Sequence, residues 1–217
     1  VERDKMTYFH YSEEWLIKKI SYFNKIITDS KNIYVIGSHR FDEYDTITSL
    51  FPNLNNIYLF EPNPIMIESL KKIKDPRIKI FETAITNHNR DGLLYITDND
   101  GASSSIDFKS IKGFKIIDTI KIVYKTLPTM ILDEKLKRPH VLLIDVEGAE
   151  YSVLYPLMEE YPEIKNIKMI YVETRSDKTL EDIIKLVKEY FVLIGFVPLD
   201  LSDPTLGNAL FINRRYI

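Results

Sequence analysis

Short apolar runs and amphipathic stretches alternate along most of this chain. Runs at 32–36, 57–60, 78–81, 141–144 and 169–172 are four or five residues long and rich in Ile, Val, Leu and Tyr. That length and composition predict buried strands. Between them, spacing near 3.6 predicts helices: one closing over 47–51 before Pro52, one over 65–73 opened by the Pro62-Asn63-Pro64 turn, one over 149–159 and one over 180–190. Ahead of the first strand, Ser12 is placed to cap a helix with Glu13 and Glu14 in its first turn, and Leu16, Ile20, Phe23 and Ile27 form one apolar stripe along it. Runs at 191–196 and 209–212 predict a closing antiparallel pair, joined through a loop between Gly195 and Gly207.

Strands alternating with helices predict an α/β fold, a doubly wound and mainly parallel sheet covered on both faces. Residues 1–30 form an N-terminal helical extension and residues 31–217 the main domain. The exception to the alternation is 92–130, where 93–97 and 119–124 read as strands around Asp98-Asn99-Asp100-Gly101-Ala102-Ser103-Ser104-Ser105. A hairpin-like insertion of this kind is where specificity elements usually sit.

Composition narrows the chemistry. The chain has 217 residues, 45% hydrophobic and 28% charged, with a formal net charge of −3. It therefore has no basic field for holding nucleic acid non-specifically. It contains no cysteine, which excludes disulfides, thiolate metal sites and a Cys nucleophile. No apolar run approaches the roughly 18–20 residues of a membrane span, and the charged first residues do not form a signal peptide. The expectation is a cytoplasmic protein without membrane partners. The start at Val1 suggests a piece of a longer polypeptide. Four histidines, His10, His39, His88 and His140, show no metal-ligand spacing, and Ser103, Ser104 and Ser105 lack the context of a hydrolase triad.

The informative chemistry lies where strands end. The run 143–144 stops at Asp145-Val146-Glu147-Gly148-Ala149-Glu150. Open α/β sheets bind ligands at the carboxyl ends of their strands. Strand alternation would send Asp145 and Glu147 to one side, with Gly148 turning the chain into a helix begun by Glu150. Such a pair suits a general base, a hydroxyl-orienting group or a cation ligand, as well as plain helix capping. Glu61 ends the second strand, where an acid commonly accepts hydrogen bonds from ribose hydroxyls, and Pro62 and Pro64 fix its turn. Gly37-Ser38-His39 follows the first strand, and a glycine there admits close backbone approach by a ligand. The full G-x-G-x-x-G pattern is absent, since Arg40, Phe41 and Asp42 stand in its later positions. Thr83 and Ala84 in Glu82-Thr83-Ala84-Ile85-Thr86 suit an adenine ring. Glu173 closes the fifth strand with Arg175 after it, and is a candidate second base or ligand. Each of these has an ordinary alternative as a turn, a solvated strand end or a cap.

The order and intervals of several blocks resemble the FkbM family of S-adenosylmethionine-dependent methyltransferases. They are Phe60-Glu61-Pro62-Asn63-Pro64, Thr83-Ala84-Ile85-Thr86 with Asp91-Gly92, Ser103-Ser104-Ser105-Ile106, Thr126-Leu127-Pro128 and Leu143-Ile144-Asp145-Val146-Glu147-Gly148-Ala149-Glu150, spread over roughly residues 31–175. The resemblance implies a seven-stranded Rossmann-like fold and methyl transfer to a hydroxyl, often on a sugar or polyketide. It implies that Gly37, Ser38, Glu61, Pro62, Asn63, Thr83, Ala84 and Asp145 surround the cofactor, with Glu61 on the ribose, Thr83 and Ala84 beside adenine, Gly37 toward the methionine part and Asp145 beside the methyl. Asp145 is the first choice for orienting or deprotonating the acceptor; Glu147, Glu173 and His39 are the other catalytic candidates. No dedicated metal cage is evident, although Asp145 and Glu173 are placed to hold a Mg²⁺ ion. The family usually carries D-x-G-A-N-x-G at the first glycine. Here Val35-Ile36-Gly37-Ser38-His39-Arg40-Phe41 stands instead, so either Asp42, Glu43 or Asp45 takes the role of the acid, or cofactor binding is weak or lost.

The expected activity is thus O-methylation of a small-molecule or glycan acceptor, with fusion to another sugar-modifying domain in a longer chain as a further expectation. The rival is a non-catalytic binding module on the same fold.

Overall fold

The computed structural model describes residues 14–98, 115–175, 177–200 and 203–217. Ser12 and the Ser103-Ser104-Ser105-Ile106 block lie outside them. The central element is a seven-stranded sheet formed by β1 (Asn32–Ile36), β2 (Asn56–Phe60), β3 (Ile78–Phe81), β7 (Val141–Ile144), β8 (Met169–Thr174), β9 (Phe191–Asp200) and β10 (Asp203–Asn213). Its order is β3-β2-β1-β7-β8-β10-β9. The pairs among β3, β2, β1, β7 and β8 are parallel, and β10 runs antiparallel to both of its neighbours.

Period-two alternation divides the strand side chains between two apolar layers. Tyr34, Ile36, Tyr58, Phe60, Leu142, Ile144, Ile170 and Val172 face one layer. It is covered by α5 (Leu127–Asp133), α6 (Glu150–Glu160) and α7 (Asp177–Val187), through residues such as Leu127, Met130, Val153, Leu157, Ile183 and Val187. Ile33, Val35, Ile57, Leu59, Val141, Leu143 and Met169 face the other. That layer is covered by α1 (residues 14–20), α2 (Asn24–Asp29), α3 (Tyr44–Leu50) and α4 (Pro64–Leu70), through Leu16, Ile20, Ile26, Ile47 and Leu70. Both faces of the sheet are thus covered, the doubly wound arrangement expected from the alternation.

The insertion forms a second sheet of three strands, β4 (Ala84–Ile85), β5 (Arg90–Thr97) and β6 (Ile116–Lys125), in the order β4-β6-β5. Leu94, Ile96, Ile122 and Tyr124 give it a small core of its own. Among the described residues no helix is long and apolar enough to cross a membrane.

Three elements differ from the expectation. The single N-terminal stripe breaks into α1 and α2, because the amides of Tyr22 and Phe23 bond three residues back while the Ser21 hydroxyl takes the Lys18 carbonyl at 2.8 Å. The expected Gly195–Gly207 loop is mostly strand. Pro198 is tolerated there because β9 is the sheet edge, where a missing N–H interrupts no second ladder. Helix α5 was not anticipated inside the insertion. Its signal lay in Thr126, whose hydroxyl accepts the Thr129 N–H at 3.2 Å as a cap, and in Pro128 within the first turn.

Candidate active site

Parallel pairing puts the ends of β1, β2, β7 and β8 on one edge of the sheet, and the strand-end residues from the sequence gather there. The Asp145 amide donates to the Ile36 carbonyl at 2.9 Å, and the amides of Gly37 and Ser38 donate to the Phe60 carbonyl at 3.0 and 3.2 Å. Gly37 has φ +78°, and a Cβ on it would lie 1.6 Å from the Asp145 carbonyl oxygen. The close approach of the neighbouring strand end by itself requires a glycine here.

Beyond Gly37 the loop follows an unusual path. His39 and Phe41 both have positive φ, at 46° and 55°. Phe41 is buried in the layer that includes Leu16, Ile20 and Ile47, so an aromatic anchor holds a loop that a second glycine would otherwise have relaxed. Asp42 and Asp45 are exposed and Glu43 is half-buried. Ser38 is buried and its hydroxyl has no partner.

Glu61 is buried and doubly held. One carboxyl oxygen accepts the His39 N–H at 2.8 Å and the other accepts the Asn63 N–H at 2.8 Å. Burial lifts its pKa to about 7 against the pull of those two amides. Pro62 is half-buried beside it, while the Asn63 side chain caps α4 by accepting the Ile65 N–H at 3.0 Å. Thr83 and Ala84 take part in sheet contacts: the Thr83 hydroxyl donates to the Val123 carbonyl at 2.9 Å, and Ala84 pairs with Tyr124. They anchor the three-stranded sheet to the segment that follows β3.

The acids that follow β7 and the one near the end of β8 form one cluster. An oxygen from each of Asp145, Glu147 and Glu173 lies within 4.8 Å of the others. Asp145 and Glu147 do converge, but not by strand alternation, because β7 ends at Ile144. Glu147 and Gly148 adopt left-handed conformations, φ +57° and +102°, and that turn brings Glu147 back. Arg175 supplies the counter-charge. Its guanidinium pairs with Glu147 and lies 3.4 Å from Glu173. In the sequence, Arg175 stands two residues after Glu173 with no other mark of its role. The signal was its i+2 position after Glu173, which in extended chain shares a side.

One guanidinium does not neutralise this many acids. Asp145 follows the end of β7 and is exposed, yet desolvation of its carboxyl by the surrounding protein raises its pKa against the attraction of Arg175 and His39. Burial and repulsion from Asp145 push Glu147 to about 8. Glu173 is raised for the same two reasons. Glu150 is completely buried, raised by burial to about 7, and accepts the Gly148 N–H at 2.7 Å with one oxygen while the other has no partner. The crevice therefore holds weakly acidic carboxyls beside a fixed cation. It can accept a proton, orient a hydroxyl and stabilise a cationic ligand.

A family model for the methyltransferase FkbM domain matches residues 35–191. None of the curated proteins matches the chain. Solved structures of similar fold include the methyltransferase FkbM from Methylobacillus flagellatus, 14% identical with a TM-score of 0.56, covering 85% of this chain and 44% of that one. An rRNA methylase from Streptococcus thermophilus is 9% identical with a TM-score of 0.52, over 94% of this chain and 95% of that one. The fibrillarin from Aeropyrum pernix, in complex with S-adenosyl-L-methionine, is 12% identical with a TM-score of 0.50, over 86% of this chain and 68% of that one. Identities this low show the fold. The chain spans less than half the length of the Methylobacillus protein.

Proposed function

This chain belongs to the FkbM methyltransferase family, and from that premise we propose that it is an S-adenosylmethionine-dependent O-methyltransferase acting on a sugar or glycan hydroxyl. The observation that carries the reading is the convergence of Glu61, Asp145, Glu147 and Glu173 at the ends of three strands on one crevice edge.

These residues suit the cofactor in charge and in hydrogen-bonding capacity. A sulfonium and an ammonium are cations, and the crevice carries more carboxyls than Arg175 offsets. Each Glu61 oxygen accepts one amide hydrogen, and a carboxylate oxygen has room for a second bond, here from a ribose hydroxyl. The unpartnered Ser38 hydroxyl is a further contact. When bound, the cofactor supplies the activated methyl group. The protein's part is then to hold an acceptor oxygen in line and to take its proton. Asp145, exposed after the end of β7, is the base or orienting group. Arg175 keeps Glu147 and Glu173 in position, where their carboxyl oxygens can accept hydrogen bonds from acceptor hydroxyls.

A second reading, a non-catalytic module that has lost its cofactor, is favoured by one feature: Phe41 fills the core where the family's second glycine would sit. Calorimetric titration with S-adenosylmethionine and S-adenosylhomocysteine separates the two. Micromolar affinity supports the transferase, and absence of heat at millimolar ligand supports the module. Transfer of labelled methyl to a panel of methyl glycosides then tests the acceptor class.

A further inference from the structure

Glu150 has no role in the scheme above, yet it is the most deeply buried acid of the crevice, with 0% exposure. An acid in the first turn of a helix gains from the helix dipole at the surface just as well, so the dipole does not explain burial. Nor does ordinary capping. The position before α6 is Ala149, which has no capping side chain. The Glu150 carboxyl instead reaches back two residues and accepts the Gly148 N–H at 2.7 Å.

That amide belongs to the strained part of the chain. Glu147 is a non-glycine residue at φ +57°, followed by Gly148 at φ +102°. A left-handed non-glycine residue persists only where its surroundings over-determine it. Contacts on this segment do so here: the Arg175 ion pair holds the Glu147 side chain, the Asp145 carboxylate accepts the Glu147 N–H, and Glu150 holds the next peptide. Upstream, the Asp145 amide is tied to the Ile36 carbonyl. The segment from Asp145 to Glu150 is therefore fixed at both ends, with the reactive carboxyls between them.

We propose that Glu150 is a positioning residue for methyl transfer: by accepting the Gly148 N–H it locks the left-handed Glu147-Gly148 turn, and so sets Asp145 and Glu147 against Arg175. The inference rests on the transferase reading for its kinetic consequence, but not for the turn itself. A carbonyl oxygen in place of the carboxyl satisfies the same amide, so Glu150→Gln preserves the lock. Glu150→Ala removes it, and Glu150→Asp is one methylene too short to reach.

Two NMR signals report the turn without any activity: hydrogen exchange of the Gly148 amide and the shift of the Arg175 side-chain Nε. In Glu150→Ala and Glu150→Asp, Gly148 exchange rises roughly tenfold or more and the Arg175 signal moves. In Glu150→Gln both stay near wild type. Turnover on the methyl glycoside that accepts label falls on the order of 10²-fold in the Ala and Asp variants, as expected of small misplacements at a reacting centre. Gln rescues the rate. The proposal is overturned if Glu150→Ala leaves the Gly148 and Arg175 signals in place, or if Glu150→Gln loses them as fully as Ala does. Should Glu150→Ala fail to fold, the Gln and Asp variants decide on the same signals. If wild type binds no S-adenosylmethionine, the transferase reading has failed, and the two signals still judge the turn.

Discussion

Asp145 carries the heaviest chemical assignment in the chain, and two substitutions test its setting. Asp145→Asn keeps the shape and removes the basic oxygen. General-base assistance is worth about 10²–10⁴-fold, so turnover in a labelled-methyl assay should fall by that range while S-adenosylmethionine affinity, measured by calorimetry, barely changes. Full turnover in the variant would take Asp145 out of the mechanism. Gly37→Ala tests the backbone beside it. A Cβ there meets the Asp145 carbonyl oxygen at 1.6 Å from a residue held at φ +78°. Overpacking and left-handed strain together should cost about 2–4 kcal/mol in a urea titration; a loss under half of that would mean the two strand ends move apart easily. At this scale the sequence was readable in kind but not in arrangement. The acids could be named as a site because three of them follow an apolar run at once. That Gly37 packs against the Asp145 strand end, or that Phe41 turns inward at positive φ among residues such as Leu16, depends on neighbours that are distant in sequence.

Among the elements, the central strands were legible because each is a short apolar run flanked by polar residues, and burial on both faces leaves no other reading. Helix α5 was missed, although Thr126 and Pro128 mark its start. Its neighbourhood looked like an insertion, and a seven-residue helix shows too few turns to reveal a period. The cap makes the test. Thr126 accepts the Thr129 N–H and is itself buried, so Thr126→Ala should lower stability by about 1 kcal/mol. Its amide also donates to the Asn89 side chain at 2.9 Å, a bond that the substitution leaves intact. A thermal melt that does not move would show that α5 is held by Leu127, Met130 and Ile131 alone.

For the molecule as a whole, the raised acids set a pH dependence. Glu61 and Glu150 titrate near 7 and Glu147 near 8 in the folded protein, against about 4.5 for an unburied glutamate. Between about pH 4.5 and 8 the folded chain thus holds protons that the unfolded chain has released. By linkage, stability falls as pH rises through that window. Asp75, held near 2 first by its hydrogen bonds to Arg77, stays ionised throughout it and does not offset the trend. The unfolding free energy from denaturant titrations should therefore drop from pH 5.5 to pH 8.5 by an amount on the order of a few kcal/mol. The double variant Glu61→Gln, Glu150→Gln should make the fall shallower, leaving the part set by Glu147. A wild-type unfolding free energy that is level or rises over that range would mean the acids are ionised and compensated.

The amino-acid sequence by itself determined the layered α/β architecture, the parallel core of the sheet, the edge that carries the acids and the family, because apolar periodicity and strand-end composition are local properties written residue by residue. Only the tertiary structure decided which carboxyl is held by which partner: Glu61 by the amides of His39 and Asn63, Glu147 by Arg175, Glu150 by Gly148. The physical reason is that charge and hydrogen bonding inside a crevice depend on distance and desolvation. Those are set only when strands separated by tens to more than a hundred residues are brought side by side.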